Sequence, residues 1–404
     1  MDGLQSSPRA GLRGRTLNVR NLTASDEASW RDLSARAQEP NPFYEPDCLI
    51  PAATHQSFGD EIQLVVAEDD DRFYGCIPVR HVKRWRGLPY RIATTQVRRM
   101  TYLGTPLVDT DQGVDAVKAM LGALVEDRRA GRSRVLVVQE MTDGSVAALF
   151  RYAASELGLH LVIFESFQRG FLKRDYPPAY QQAHSPRTLS NLHRKQRNLG
   201  KELGGTVDLV DRGSDPQAIE DYIALEASGY KADFGVAMTT VPGEAEYFRA
   251  MCERFAAEGR LHILSLTDGK TTAAMIVWVR AGDTLLQFKW SYDERFAKYS
   301  PGLILHTEAL RYFDEKTDAQ FLDTCTWGQN EMINRLYPDR RPITTYFIIL
   351  GPSLRDRIVM KSFVALRPVH RKIYELVRPQ HAQQALRGKL APGEVADGQP
   401  AHKS

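Results

Sequence analysis

The sequence predicts an α/β (α+β) protein made of two units of similar order, each a mixed, mostly antiparallel sheet flanked by helices. Two observations point there. Strand-like pairs are followed by helices alternating with strands, first between Thr16 and Asp175 and again between Ser185 and Leu350. Such an order sets helices on the faces of a mixed sheet. The length of 404 residues, 43% hydrophobic and 25% charged, supplies two cores of ordinary globular composition. The expected organisation is a polar, disordered extension over 1–15, a first unit over 16–175 and a second over 185–350. A basic amphipathic helical tail over 351–390 and a disordered end over 391–404 follow. Asp175-Tyr-Pro-Pro178 breaks regular structure and places the boundary between Arg169 and Ser185.

In the first unit, residues 16–22 read as a strand and 25–37 as a helix capped by Ser25, with Trp30, Leu33 and Ala37 on one face. Asn41-Pro-Phe-Tyr-Glu-Pro46 is a turn-rich connection. Residues 62–68 and 73–82 form a hairpin with Asp69-Asp-Asp71 at its tip. Residues 114–128 and 146–157 read as helices, followed by strands at 135–139 and 159–165.

The second unit opens with a basic amphipathic helix at 185–203, with Leu189, Leu192, Leu199 and Leu203 inward. A strand at 207–210 and helices at 215–228 and 243–258 follow. Residues 261–267, 271–280 and 284–290 form a three-strand meander, with Asp268-Gly269 as its first turn. A helix from Ser300, a strand at 321–326 and a last strand at 344–350 complete the unit.

Net charge is only +3, but it is unevenly spread. Arg80 to Arg99 holds seven basic residues and no acid, and Arg187 to Lys201 holds five and no acid. Such clusters suit anionic partners or form solvated faces. The tail interleaves Leu354, Ile358, Phe363 and Leu366 with Arg355, Arg357 and Lys361, a pattern suited to peripheral contact with an anionic membrane or to packing on the first unit. Cys48, Cys76, Cys252 and Cys325 are far apart, and the ten histidines show no paired ligand spacing, so no metal site is expected. No apolar run reaches the roughly 18 residues of a spanning helix, and the first 15 residues lack the apolar core of a signal peptide. The expected location is the cytoplasm, with peripheral contact to the inner membrane face.

The stretch from Lys289 to Leu305 carries the most chemistry. A strand leads through a short loop into a helix whose cap is read as Ser300, with Pro301 in its first position and Gly302 leaving room for close approach. Free N–H groups and the positive dipole end at such a terminus favour an anion, and Lys298 adds a full charge. An ordinary capped helix is the bland alternative.

Three segments carry a resemblance: Glu226-Ala-Ser-Gly-Tyr-Lys231, the stretch Lys289 to Gly302, and Phe321-Leu-Asp-Thr-Cys-Thr-Trp-Gly328. In order and spacing, the second unit resembles the double-domain, cellulose-biosynthesis-like branch of the GNAT N-acetyltransferase superfamily, related to the Fem-type aminoacyl transferases. The first unit resembles it loosely, through Asn41-Pro-Phe-Tyr44. The resemblance implies tandem GNAT-like units and acyl transfer from a thioester, acyl-CoA and first of all acetyl-CoA, to an amine, without a metal. It also implies a donor-binding loop at Lys298, Tyr299, Ser300, Gly302, Leu303 and Ile304. Ile304 fills the place of a second glycine and Pro301 offers no N–H, so the phosphate cradle is reduced.

The transfer needs a neutral amine, a proton acceptor and a positive group facing the carbonyl oxygen. Asp293 is the first candidate base and Asp323 the second, with Glu226 and Glu331 as further candidates; Asp293 can instead cap its turn, and Asp323 can pair with Lys289 or Arg335. Strand alternation puts Gln287 and Lys289 on one face and Phe288 and Trp290 on the other. Lys289 can hold charge at the carbonyl or the acceptor, or snorkel to water. Glu226, Tyr230, Lys231, Tyr292, Trp327, Glu331 and Arg335 are candidates for acceptor binding. The expected activity is N-acyl transfer to a small molecule or an envelope or polysaccharide precursor. The alternatives are a Fem-like transferase using aminoacyl-tRNA and a non-catalytic subunit of a polysaccharide or lipid biosynthesis system.

Overall fold

The computed structural model describes residues 11–97, 101–175, 177–229, 237–328 and 330–367. The chain divides into two compact units. The first comprises the described residues of Met1–Ala53, Asp60–Ser166 and Ile343–Arg371, and the second those of Thr54–Gly59 and Phe167–Pro342. In both, a mixed and mostly antiparallel sheet carries helices, as the sequence predicts.

The first unit begins with strand β1 (Arg13–Asn18), which overlaps the strand expected over 16–22 but starts earlier, within the expected disordered extension. Its polar sequence hides it: Arg13 and Arg15 pair with Glu68, and Arg15 also with Asp26, so ion pairs replace apolar alternation. Helix α1 (Ala24–Arg36) is capped by Thr23, not Ser25. Thr23 and Asp26 exchange hydrogen bonds in a capping box, which satisfies two orphan donors at once. Helix α2 (Pro46–His55) follows the connection read as turns, in a stretch where the sequence predicts no element; Pro46 opens it and Pro51 lies within it. There follow β2 (Gln63–Glu68), β3 (Phe73–Val82), β4 (Ile92–Thr94), β5 (Leu107–Val108), α3 (Gly113–Arg129), β6 (Val135–Thr142), α4 (Ser145–Glu156) and β7 (His160–Lys173). The unit's strand order is β1-β2-β3-β4-β6-β13-β7, with β5 beside β3; β13 is the late strand Asp339–Ile349. One apolar cluster joins α3 and α4 to the sheet, and a second holds Trp85, Phe164, Phe347 and Met360, the last from a helix at Leu354–Ala365.

The second unit takes residues 167–173 of β7 and 339–342 of β13. Between them lie α5 (Ala179–Gln182), α6 (Pro186–Leu203), β8 (Asp208–Asp211), α7 (Gln217–Ala227), α8 (Glu244–Ala257), β9 (Leu261–Thr267), β10 (Thr272–Ala281) and β11 (Thr284–Tyr292). Then come α9 (Pro301–Lys316), β12 (Phe321–Asp323) and α10 (Glu331–Leu336), with the Leu354–Ala365 helix as α11 in the first unit. Strand order is β7-β12-β11-β10-β9-β8. Helices α6 and α9 bury Leu192, Leu199, Leu305 and Leu310 against one face of this sheet. On the other face Tyr222 of α7, Phe248 of α8 and Phe288 of β11 form a chain of rings. Helix α6 follows its sequence signals: Ser185 accepts from the Thr188 N–H, Pro186 fills the first turn, and Gly204 ends it in the left-handed region.

Candidate acyl-transfer site

The site is built on β11, which changes partners along its length. β12 runs parallel to it only over 284–286, paired with 321–323. From Gln287 to Tyr292 the strand keeps β10 on one side, and among the described residues no strand pairs with the other. A second irregularity falls at the same place. Val277 of β10 faces Lys289 and Trp278 faces Gln287, so Phe288 is an extra residue, a β-bulge. The bulge corrects the expected alternation. Phe288 stacks on Phe248 and Lys289 reaches Glu226 of α7, both on the α7–α8 face, whereas Trp290 meets His306 of α9. Gln287 shares the α9 face through its partner Trp278.

Lys289 and Glu226, which lie 63 positions apart, meet in a buried ion pair with Nζ 2.5 Å from Oε1. The other carboxylate oxygen of Glu226 accepts the Met238 N–H at 2.9 Å. Lys289 therefore does not snorkel to water. Tyr230 and Lys231 lie outside the described residues.

Ser300 precedes α9 with φ 58° and gives its helix no side-chain cap. This corrects the expected cap: its left-handed backbone turns the hydroxyl away, and that oxygen accepts from Lys195 Nζ of α6 at 2.7 Å. The Leu303 and Ile304 N–H groups both donate to the Ser300 carbonyl, which leaves the Gly302 N–H without a backbone partner among the described residues. Gly302 is needed for packing: a Cβ there would lie 2.7 Å from Trp290 Cζ3. Ile304 is buried in the core beneath the turn. Lys298 and Tyr299 both bond Glu202 of α6, at 3.4 and 2.8 Å. The Tyr299 hydroxyl and then the Glu202 charge hold the Lys298 ammonium above its usual value.

Asp293 caps the two-turn 3-10 helix Glu294–Tyr299, accepting from the Arg295 N–H, and its carboxylate is gripped by the Arg295 guanidinium at 2.6 Å. Burial pushes that carboxyl up, but Arg295 outweighs it and holds the group below the usual range. Asp323 is fully buried in an ion pair, with partners other than those expected: Arg169 at 2.7 Å and Arg341 at 2.7 Å. Burial again pushes the carboxyl up, and the two arginines more than compensate. Nothing in the sequence links Arg169 to Asp323, since their partnership spans 154 positions. Both acids are thus held ionised by arginine, which makes them weak acceptors for an ammonium proton.

Tyr292 stacks on Trp290 with centroids 6.1 Å apart, and burial and then Glu294 raise its phenol. Trp327 is half-buried in the loop after β12, where its carbonyl accepts the Asn330 N–H. Glu331 opens α10 and Arg335 lies in its last turn; the Glu331 side chain is outside the described residues. His306 was not singled out from sequence. It is fully buried, its Nδ1 3.0 Å from the Tyr337 hydroxyl and its Nε2 without a hydrogen-bond partner, and burial lowers its pKa to about 3. Among the described residues no group of acids, histidines and cysteines is placed to hold a metal.

Residues 186–325 match the family model described as an acetyltransferase (GNAT) domain. That segment belongs to the GNAT superfamily, and the class of protein it defines is an acyltransferase. Three solved structures share the fold. FemX is 10% identical, with 83% of this chain and 97% of FemX covered and a TM-score of 0.52. A conserved protein of unknown function from Bacteroides thetaiotaomicron is 12% identical, with 82% and 98% covered and a TM-score of 0.53. The C-terminal DUF2156 domain of a protein named as a lysylphosphatidylglycerol synthetase, from Agrobacterium fabrum, is 12% identical, with 84% and 96% covered and a TM-score of 0.50. No curated protein matches the chain.

Proposed function

We propose that the second unit moves an acyl group from acyl-CoA, with acetyl-CoA the first candidate, to an amine on a small molecule or on an envelope or polysaccharide precursor. The observation that carries this reading is the edge of β11 beyond Leu286, which among the described residues pairs with a strand on one side only and runs to the loop before α9. Among the described residues no strand lies along that side, and an extended ligand with amide groups fits beside it as an added strand does. The residues present fit the donor: the β11 edge for the pantetheine arm, and the Gly302 N–H with Lys195 and Lys298 for phosphate. Bound CoA supplies the activated thioester carbonyl.

The chain's own groups do the rest. Lys289, paired with Glu226, holds positive charge for the carbonyl oxygen or the acceptor. The amine's proton passes to water, because Asp293 and Asp323 are committed to arginine. As the new C–N bond forms, the C–S bond breaks and sulfur leaves as thiolate. Tyr292 and Trp327 wall the acceptor side and exclude bulk water; Tyr230, Lys231, Glu331 and Arg335 serve acceptor binding. An aminoacyl-tRNA donor is the second reading, favoured by the exposed row Arg187, Arg194, Arg197 and Lys201 on α6. The test is thiol release from acetyl-CoA and longer acyl-CoAs against a panel of amines. Release that depends on the amine and falls in Lys289→Met supports the reading. No release with any acyl-CoA, together with transfer from aminoacyl-tRNA, supports the second. Failure of both leaves the non-catalytic subunit role.

A further inference from the structure

The two basic segments of the sequence that the acyl-transfer site does not use, near Arg80–Arg99 and after Arg355, come together in the first unit. β3 and β4 are joined by an arm whose tip is a two-residue turn. Trp85 and Leu88 exchange backbone hydrogen bonds at 3.0 and 2.8 Å, and Arg86 and Gly87 between them both have positive φ. Trp85 is the anchor of this arm. Its ring lies edge-on to Phe164 at 5.1 Å and Phe347 at 5.3 Å in the sheet, and meets Phe363 of α11 at 6.1 Å. Burying Trp85 leaves its neighbours Lys83, Arg84 and Arg86 exposed beside the helix.

Helix α11 adds an unusual surface of its own. Its inner side buries Met360 and Asp356, and the latter is neutralised by Arg134 at 3.0 Å, Arg128 at 3.5 Å and the Tyr90 hydroxyl. The only acid of the helix is therefore hidden. The outer side shows Leu354, 68% exposed, Ile358, 56%, and Leu366 at its end, 50%, interleaved with Arg355 and Lys361. Leu354 and Ile358 are one turn apart and share a face. Glu165 is close by but is taken by Arg367. Lys83, Arg84, Arg355 and Lys361 have no acidic partner among the described residues.

We propose that this surface, the outer side of α11 with the Lys83–Arg86 arm, seats the protein on an anionic lipid bilayer. A small pair of exposed Leu and Ile side chains flanked by cations matches an interface in which apolar tips enter between headgroups while ammonium and guanidinium groups meet lipid phosphates. A protein partner would call for a contiguous apolar centre poor in lysine, which this surface lacks. No helix among the described residues is long and apolar enough to cross a membrane, so the contact is peripheral. The proposal does not depend on which acyl donor the second unit uses.

The test is co-sedimentation of the full chain with vesicles of phosphatidylcholine alone or mixed with phosphatidylglycerol. Binding only to the mixed vesicles, weakening steeply toward about 0.5 M salt, is expected. Lys83→Glu/Arg84→Glu and Leu354→Glu/Ile358→Glu each change exposed side chains only, and each lowers partitioning at least about tenfold. No binding to phosphatidylglycerol vesicles at low salt, or binding by both variants as tight as that of the unchanged chain, overturns the proposal. So does a dimer in solution that Leu354→Glu/Ile358→Glu disperses, which assigns the surface to a second copy of the chain. RNA binding that these variants abolish, without vesicle binding, overturns it as well.

Discussion

Gly302→Ala separates packing from ligand binding at the first turn of α9. The added Cβ would lie 2.7 Å from Trp290 Cζ3, where ordinary contact begins at 3.4 Å, so the ring must retreat by about 0.7 Å. It has little freedom to do so: Tyr292 stacks on it at 6.1 Å and His306 meets it edge-on at 5.0 Å. Overpacking of this kind costs about 1–3 kcal/mol. Trp290→Phe removes the obstructing ring atoms, so the double variant should be less destabilised than the sum of the singles by about 1–2 kcal/mol. Thermal unfolding followed by tryptophan fluorescence measures both singles and the double. A Gly302→Ala protein as stable as its parent, with additive effects in the double, would refute the packing argument. If acyl-CoA affinity alone fell, the glycine would be reserved for the ligand.

Three further outcomes follow from the site. Asp293→Asn should leave turnover within about threefold and cost at most about 1 kcal/mol of stability through the lost ion pair with Arg295, since Asn caps a helix as well as Asp does; a loss of about 10²–10⁴-fold would return Asp293 to the role of base. Glu226→Gln, which strips the charge opposite Lys289, should destabilise by about 3 kcal/mol, and Glu226→Leu/Lys289→Met should recover most of it in thermal melts; failure to recover would mean the two residues are not energetically paired. His306 should make stability fall with acid. Its folded pKa of about 3 lies below the unfolded value near 6.5, so the unfolded chain binds the extra proton between these limits. Its contribution is complete above about pH 6.5 and shrinks as pH falls toward 3, by at most about 5 kcal/mol. Melting temperatures from pH 7.5 to 5 should therefore drop less in His306→Gln, and parallel profiles would remove the inference.

Helices and strands with clear periodicity were legible from sequence. The meander at 261–292 and helix α6 lie within a residue or two of where pattern and caps put them. β1 was partly hidden because ion pairs, not alternating apolar residues, hold it. α2 was hidden by its two prolines. At the site, the importance of Lys289, Glu226 and the turn before α9 could be read, since unusual residue types mark them. Their pairing could not. Partners 63 and 154 positions apart leave no local trace, and a single inserted residue at Phe288 reverses which face each following side chain takes. The Ser300 cap failed for a similar reason: its type fits a cap, but its left-handed backbone gives the hydroxyl to Lys195.

By the proposed function, the edge of β11 beyond Leu286 and the first turn of α9 bind an acyl-CoA. Isothermal titration of the full chain with acetyl-CoA, longer acyl-CoAs and tRNA tests it most directly. The expected result is one acyl-CoA bound per chain, with affinity lowered by Lys195→Ala and Lys298→Ala together and no comparable affinity for tRNA. Saturable tRNA binding with no heat from any acyl-CoA would contradict it.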